Sequence, residues 1–82
     1  MEESSQPIVL SEYVQQAVES YFDHLDGHPA SNLLAMVIAE VEKPLFETVM
    51  KQCGNNQTKA AKVLGVSRAT LRKKLDRYEL IQ

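Results

Sequence analysis

Apolar positions recur at intervals of three and four along most of this chain, and a glycine or proline falls wherever the rhythm breaks. Leu10, Tyr13, Val14, Ala17, Val18, Tyr21, Phe22 and Leu25 form one stripe of a first helix, with Ser11 expected as its N-cap and Gly27 as its C-cap. A second helix is predicted from about Ser31 to Gln52. Its stripe of Leu34, Val37, Ile38, Val41, Leu45 and Val49 keeps phase across Pro44, which argues for one proline-kinked helix over two short ones, although the ring removes a hydrogen bond and crowds the preceding turn. Beyond Pro44 a second apolar set, Phe46, Met50 and Cys53, points the opposite way. A helix apolar on two sides must be covered on both, and a second copy of the same helix is the expected cover. Val41, Leu45, Phe46, Val49, Met50 and Cys53 are therefore the predicted dimer interface. Period-two alternation is missing, so the expected fold class is all-α with four helices. The predicted organisation is a disordered tail over residues 1–9, dimerisation helices over 10–53 and a helix-turn-helix over 54–82.

The last third carries the most specific pattern, "QTKAAKVLGVSRATLRKKL" from Gln57 to Leu75. Asn56 suits the cap of a short helix; Ala60 and Ala61 are small enough for two helices to cross closely; Gly65 permits a left-handed turn; Ser67 suits the cap of the next helix. Val63 or Leu64, with Val66, Leu71, Leu75 and Tyr78, supplies the apolar seam. Arg68 then lies in the first turn of the second helix, and Ala69, Thr70, Arg72, Lys73 and Arg77 point away from the seam. A helix presented in this way reads base edges in a major groove with its N-terminal residues and holds phosphates with its flanking cations.

Charge strengthens that reading. The whole chain has a formal charge of −2, but residues 1–50 hold one Lys against nine Asp or Glu, whereas residues 51–82 hold eight Lys or Arg against Asp76 and Glu79. Such asymmetry implies an anionic partner for the C-terminal part. A chain of 82 residues buries only about 60–65% of its extended surface, so a partner subunit is favoured. Cys53 is the single cysteine; it excludes an intrachain disulfide, suits a reducing compartment and is expected as a small buried apolar residue. His24 and His28 are separated by Gly27 and lack further ligands, so neither a metal nor any other cofactor is expected. The longest apolar runs fall short of the roughly 18 residues of a membrane span, and the start MEESSQ lacks the basic region of a signal peptide, so a cytoplasmic location is expected. No Ser, Cys or carboxylate pair has a placed partner and no glycine-rich loop follows a strand, which argues against an enzyme.

The run "EVEKPLFETVMKQCGNNQTKAAKVLGVSRATLRKKLDRY" from Glu40 to Tyr78, with E-V-E-x-P-L, G-N-x-Q-T-x-A-A and T-L-R-K-K-L, resembles the bacterial factor-for-inversion-stimulation family, Fis. Weaker similarity extends back through "VQQAVESYFDHLDG". The resemblance implies an intertwined homodimer of the first two helices with a helix-turn-helix on each flank. It implies recognition helices too close together for successive major grooves of straight DNA, so the duplex bends and is read chiefly through its shape, at sites with an AT-rich centre and flanking G/C. It also implies a nucleoid-associated transcriptional regulator, for which contact with RNA polymerase is open. Matched position by position, Arg68 corresponds to the arginine that reads a flanking guanine, and Asn56, Thr58, Thr70, Arg72, Lys73 and Lys74 to the phosphate-contacting set; Ser67 and Arg77 complete the expected DNA-binding residues.

Three departures qualify the resemblance. Ser67 stands where enteric relatives carry a base-contacting asparagine, which relaxes the expected base preference beside Arg68. Asp76 replaces a lysine and Glu79 a glycine near the end of the recognition helix, which weakens the expected flank contacts. The residues before Ile8 contain no counterpart of the arm that touches the recombinase in enteric members, so recombinase contact and inversion stimulation are not expected. Two other readings compete. One is the terminal DNA-binding domain of an enhancer-binding activator, which E-V-E-K-P-L and the initial Met disfavour. The other is a helical protein-interaction module with a basic tail, which has no need of the ordered small-residue, glycine and cap spacing.

Overall fold

The computed structural model describes residues 9–81; the tail expected over residues 1–9 lies outside them except for Val9. The described residues form four helices, α1 (Leu10–Asp23), α2 (Leu33–Gln52), α3 (Gln57–Leu64) and α4 (Arg68–Arg77), so the protein is all-α. Two compact units divide the chain, one ending at Val37 and one beginning at Ile38. Among the described residues, no helix is long and apolar enough to cross a membrane.

In the first unit, α1 buries none of its residues; Leu10, Tyr13 and Phe22 are exposed despite their regular spacing. The helix begins one residue before the expected cap. Val9 occupies the capping position without a side-chain bond, its carbonyl accepting the Glu12 amide at 3.1 Å, and Ser11 is already helical. The helix also ends earlier than Gly27. The His24 amide donates to Ser20 O and Tyr21 O at 3.1 and 3.2 Å, and His24 Nδ1 lies 2.7 Å from the same Ser20 carbonyl. The imidazole thus reinforces a last-turn carbonyl that already accepts the His24 amide, and the helix closes without glycine. The Tyr21 hydroxyl donates to Ser31 O at 3.4 Å.

Helix α2 starts at Leu33 rather than Ser31, after Asn32 at φ 56°, and continues through Pro44 as one element of 20 residues. Its stripe remains open: Leu34 is 75% exposed, and Ile38 and Leu45 are also exposed, whereas Val37, Val41 and Val49 are half-buried.

The second unit contains the core of the chain. Phe46, Met50 and Cys53 pack with Ala60, Ala61, Leu71 and Leu75, flanked by Val49, Leu64, Val66, Tyr78 and Leu80. The expectation that a second copy covers Phe46, Met50 and Cys53 rested on their face having no cover within the chain, and that premise does not hold. The face they form is covered from within the same chain by α3 and α4, because the turns at Gly54 and Asn55 return the chain onto it. Cys53 is buried as a free thiol.

Candidate nucleic-acid interface

Helix α3 begins where Asn56 Oδ1 accepts the Lys59 amide at 3.0 Å, which satisfies one of the free donors of the first turn. Ala60 and Ala61 are buried against α4, where larger side chains would hold the two helices apart. Leu64, not Val63, joins the seam; Val63 is 64% exposed. The helix closes with the Gly65 amide on Lys62 O (3.2 Å) and the Val66 amide on Ala61 O (3.0 Å), Gly65 having φ 77°. That left-handed residue reverses the chain into the turn before α4.

Ser67 caps α4. Its Oγ accepts the Thr70 amide at 3.1 Å and donates to Thr70 Oγ1 at 3.0 Å. This arrangement leaves the Thr70 hydroxyl hydrogen for an outside acceptor, while the Ser67 proton is already engaged in the cap. Leu71 and Leu75 are 0% and 1% exposed and fix the inner face of the helix. With these two inside, the helical period turns Arg68, Ala69, Thr70, Arg72, Lys73, Asp76 and Arg77 outward, and all seven are exposed. Four cations and one carboxylate therefore share the outer surface of α4.

Of the residues expected to meet DNA, Arg68, Thr70, Arg72, Lys73 and Arg77 lie together on this surface, with Thr58 exposed at the start of α3. Asn56 and Ser67 are helix caps. Lys74 is placed differently from the others: it is half-buried, with Nζ 3.1 and 3.2 Å from the two carboxylate oxygens of Glu42 on α2, so its ammonium is paired within the chain. Glu42 Oε1 also accepts the Tyr78 hydroxyl at 2.6 Å, and the Tyr78 ring stacks on Phe46 with centroids 6.5 Å apart and planes at 23°.

The hydroxyl of Tyr78, helped by the Lys74 ammonium, holds the Glu42 carboxyl below its ordinary pKa against the opposing effect of burial. The same hydrogen bond to Glu42, with burial, raises the Tyr78 hydroxyl. Sequence reasoning missed Glu42 because nothing local marks a carboxylate on α2 as the partner of residues 32 and 36 positions later. It also passed over Lys59 and Lys62, exposed cations of α3 whose signal was their spacing away from Ala60, Ala61 and Leu64.

Comparison with known proteins bears on this geometry. Residues 37–78, from α2 to the end of α4, match the family described as bacterial regulatory protein, Fis family, and residues 2–30 match the DNA-binding protein Fis N-terminal domain. A Fis-like DNA-binding protein of Pseudomonas aeruginosa is 50% identical over 72 residues, spanning 88% of this chain and 69% of the relative. DNA-binding protein Fis of Actinobacillus succinogenes is 51% identical over 69 residues, spanning 84% of this chain and 70% of that protein. With both ends matched and half of the aligned positions identical, the chain belongs to the Fis family of bacterial regulatory proteins.

Proposed function

We propose that this protein is a homodimeric, nucleoid-associated transcriptional regulator that binds and bends double-stranded DNA, reading it mainly by shape with a few major-groove contacts. The observation that carries this reading is the division of α4: Leu71 and Leu75 are wholly inside, and Arg68, Thr70, Arg72 and Lys73 share the outer surface beginning at the capped N-terminus. That end of a helix enters a major groove, and cations along it neutralise phosphates on either side. Both named relatives are described as DNA-binding proteins, which supports the same partner.

A dimer is supported by apolar surface that the chain leaves open. Leu10, Tyr13 and Phe22 of α1 are exposed, as are Leu34, Ile38 and Leu45 of α2. Exposed apolar side chains on one face of a helix, as Ile38 and Leu45 are on α2, mark an association site. In this reading the α2 contacts between copies are made by Ile38, Val41 and Leu45, since Phe46, Met50 and Cys53 pack in the chain's own core.

Gel-shift titration tests the function on a short AT-centred duplex with flanking guanines, with stoichiometry and bend measured on the same complex. Two chains per duplex and a bent complex are expected. Arg68→Ala should lose about 1–3 kcal/mol on guanine-flanked sites and much less on sites without the guanine, as for one bidentate base contact. Lys73→Ala should weaken both classes alike. Identical behaviour of the two variants would reduce Arg68 to a phosphate contact, and a 1:1 unbent complex would overturn the dimeric bending reading.

A further inference from the structure

Helix α4 is held on α2 by two kinds of contact with different directional character. Leu71 and Leu75 against Phe46 and Met50 supply apolar burial, which tolerates small rotations and slides because it depends on area and not on angle. The contacts of Glu42 do not. Its carboxylate receives the Tyr78 hydroxyl at 2.6 Å and the Lys74 ammonium at 3.1 and 3.2 Å, and such bonds weaken steeply when their geometry changes. The pairing is regular. Glu42 and Phe46 are one turn apart on α2, Lys74 lies in the last turn of α4 and Tyr78 is its C-cap four residues on, and the ring of Tyr78 lies on Phe46 while its hydroxyl reaches Glu42. Two neighbouring side chains of α2 thus grip one from the last turn of α4 and one from its C-cap, which defines both the rotation of α4 and its position along its own axis.

We propose that Glu42 is a positioning and specificity-determining residue, which sets how α4 presents its outer surface and keeps the Lys74 cation away from DNA. The inference rests on the DNA-binding reading given above and deepens it. A residue that holds α4 in register aligns Arg68 with a base edge, whereas contacts to phosphates tolerate misalignment because every nucleotide carries one. Holding Lys74 inward also reduces by one per chain the cations available to any sequence. Glu42 therefore strengthens base-dependent binding and weakens base-independent binding together, although its side chain is only 21% exposed and it lies on a different helix from the basic surface.

The test compares the unsubstituted chain with Glu42→Gln and Lys74→Gln, measuring affinity for guanine-flanked and guanine-free duplexes across a salt series, with the folded fraction followed by circular dichroism. Glu42→Gln keeps an acceptor for Tyr78 but frees Lys74. It should lower the ratio of the two affinities by about fivefold or more, part of the discrimination one arginine–guanine contact provides. It should also steepen the slope of log K against log salt on the guanine-free duplex by up to about 0.9 per chain as the released ammonium meets a phosphate. Lys74→Gln breaks the same ion pair without freeing a cation, so the ratio should fall while the slope does not steepen. If both affinities fall by one common factor that tracks the folded fraction, Glu42 acts on stability alone and the proposal is overturned. If the unsubstituted chain itself does not discriminate between the duplexes, the DNA-reading proposal fails first, an outcome distinct from a discriminating wild type that Glu42→Gln leaves unchanged.

Discussion

The amide of Leu80 donates to the carbonyl of Leu75 at 2.7 Å, and with the Glu79 amide on Asp76 O at 3.1 Å it closes α4 by the same pair of bonds that close α2 and α3. In α2 the pair is Asn55 to Met50 (2.8 Å) and Gly54 to Lys51 (3.1 Å); in α3 it is Val66 to Ala61 and Gly65 to Lys62. All three closures need a left-handed residue at one position. Two use Gly54 and Gly65, at φ 61° and 77°, and the third uses Glu79 at φ 58°.

Glu79 therefore carries a side chain at the position that glycine fills in the other two turns. Its left-handed backbone costs about 1–2 kcal/mol, partly offset because glycine has more freedom to lose on folding. Glu79→Gly should raise stability by about 0.5–1 kcal/mol in urea melts. The reciprocal change, Gly65→Ala, should lose about 1 kcal/mol, and since a Cβ there meets nothing within 4 Å the loss isolates backbone strain from crowding. A Glu79→Gly variant no more stable than wild type would refute the assignment.

The link between Glu42 and Tyr78 makes stability depend on pH at both ends of the scale. The folded-state value of Glu42 lies below its ordinary 4.5, so its contribution is present above that pH and is lost as acid takes the solution through the lower, folded value. Tyr78 is raised above 10.0, so its contribution is present below that pH and is lost as alkali takes the solution through the higher, folded value. Urea midpoints of wild type and Glu42→Gln, compared from about pH 3 to pH 7 around the carboxylate range, should differ most at neutrality and converge on acidification. A constant difference would show that the carboxylate charge of Glu42 is not what the variant removes.

Adjacent residues of α2 should respond differently because they face different environments. Phe46 is buried in the chain's own core and Leu45 is exposed. Phe46→Ala is expected to cost about 3–5 kcal/mol whatever the chain concentration, the usual penalty for emptying an aromatic site. Leu45→Asp should weaken self-association by placing a charge in a contact between copies, so its melting temperature should be lower and should depend less on concentration. Sedimentation at several concentrations checks both, and a Leu45→Asp protein that associates as the wild type does would exclude Leu45 from the interface.

Asp76 is exposed on α4 beside Arg72, Lys73 and Arg77. In the proposed complex its charge repels flanking phosphates where a long duplex would curl around the protein. Asp76→Lys should raise affinity for long duplexes more than for a minimal site and steepen their salt dependence by up to about two ions per dimer, at roughly 0.9 per added phosphate contact. An unchanged slope on the long duplex would mean that Asp76 faces solvent in the complex.

The sequence alone determined whatever depends on neighbours within a few residues. Caps at Asn56 and Ser67, the left-handed turn at Gly65, the inward Leu71 and Leu75 and the outward cations of α4 all follow from helical period and local hydrogen bonding, and the structure has each of them. Tertiary structure decided what depends on which surfaces meet. The two apolar faces of α2 are equivalent to a periodicity argument, and only the return of α3 and α4 onto Phe46, Met50 and Cys53 makes that face core and leaves the Leu45 side open. Lys74 reads as one more cation in a basic run until Glu42, 32 residues earlier, is found 3.1 Å from it. Helical period reports direction relative to the helix axis, and the partner waiting in that direction is a property of the folded chain.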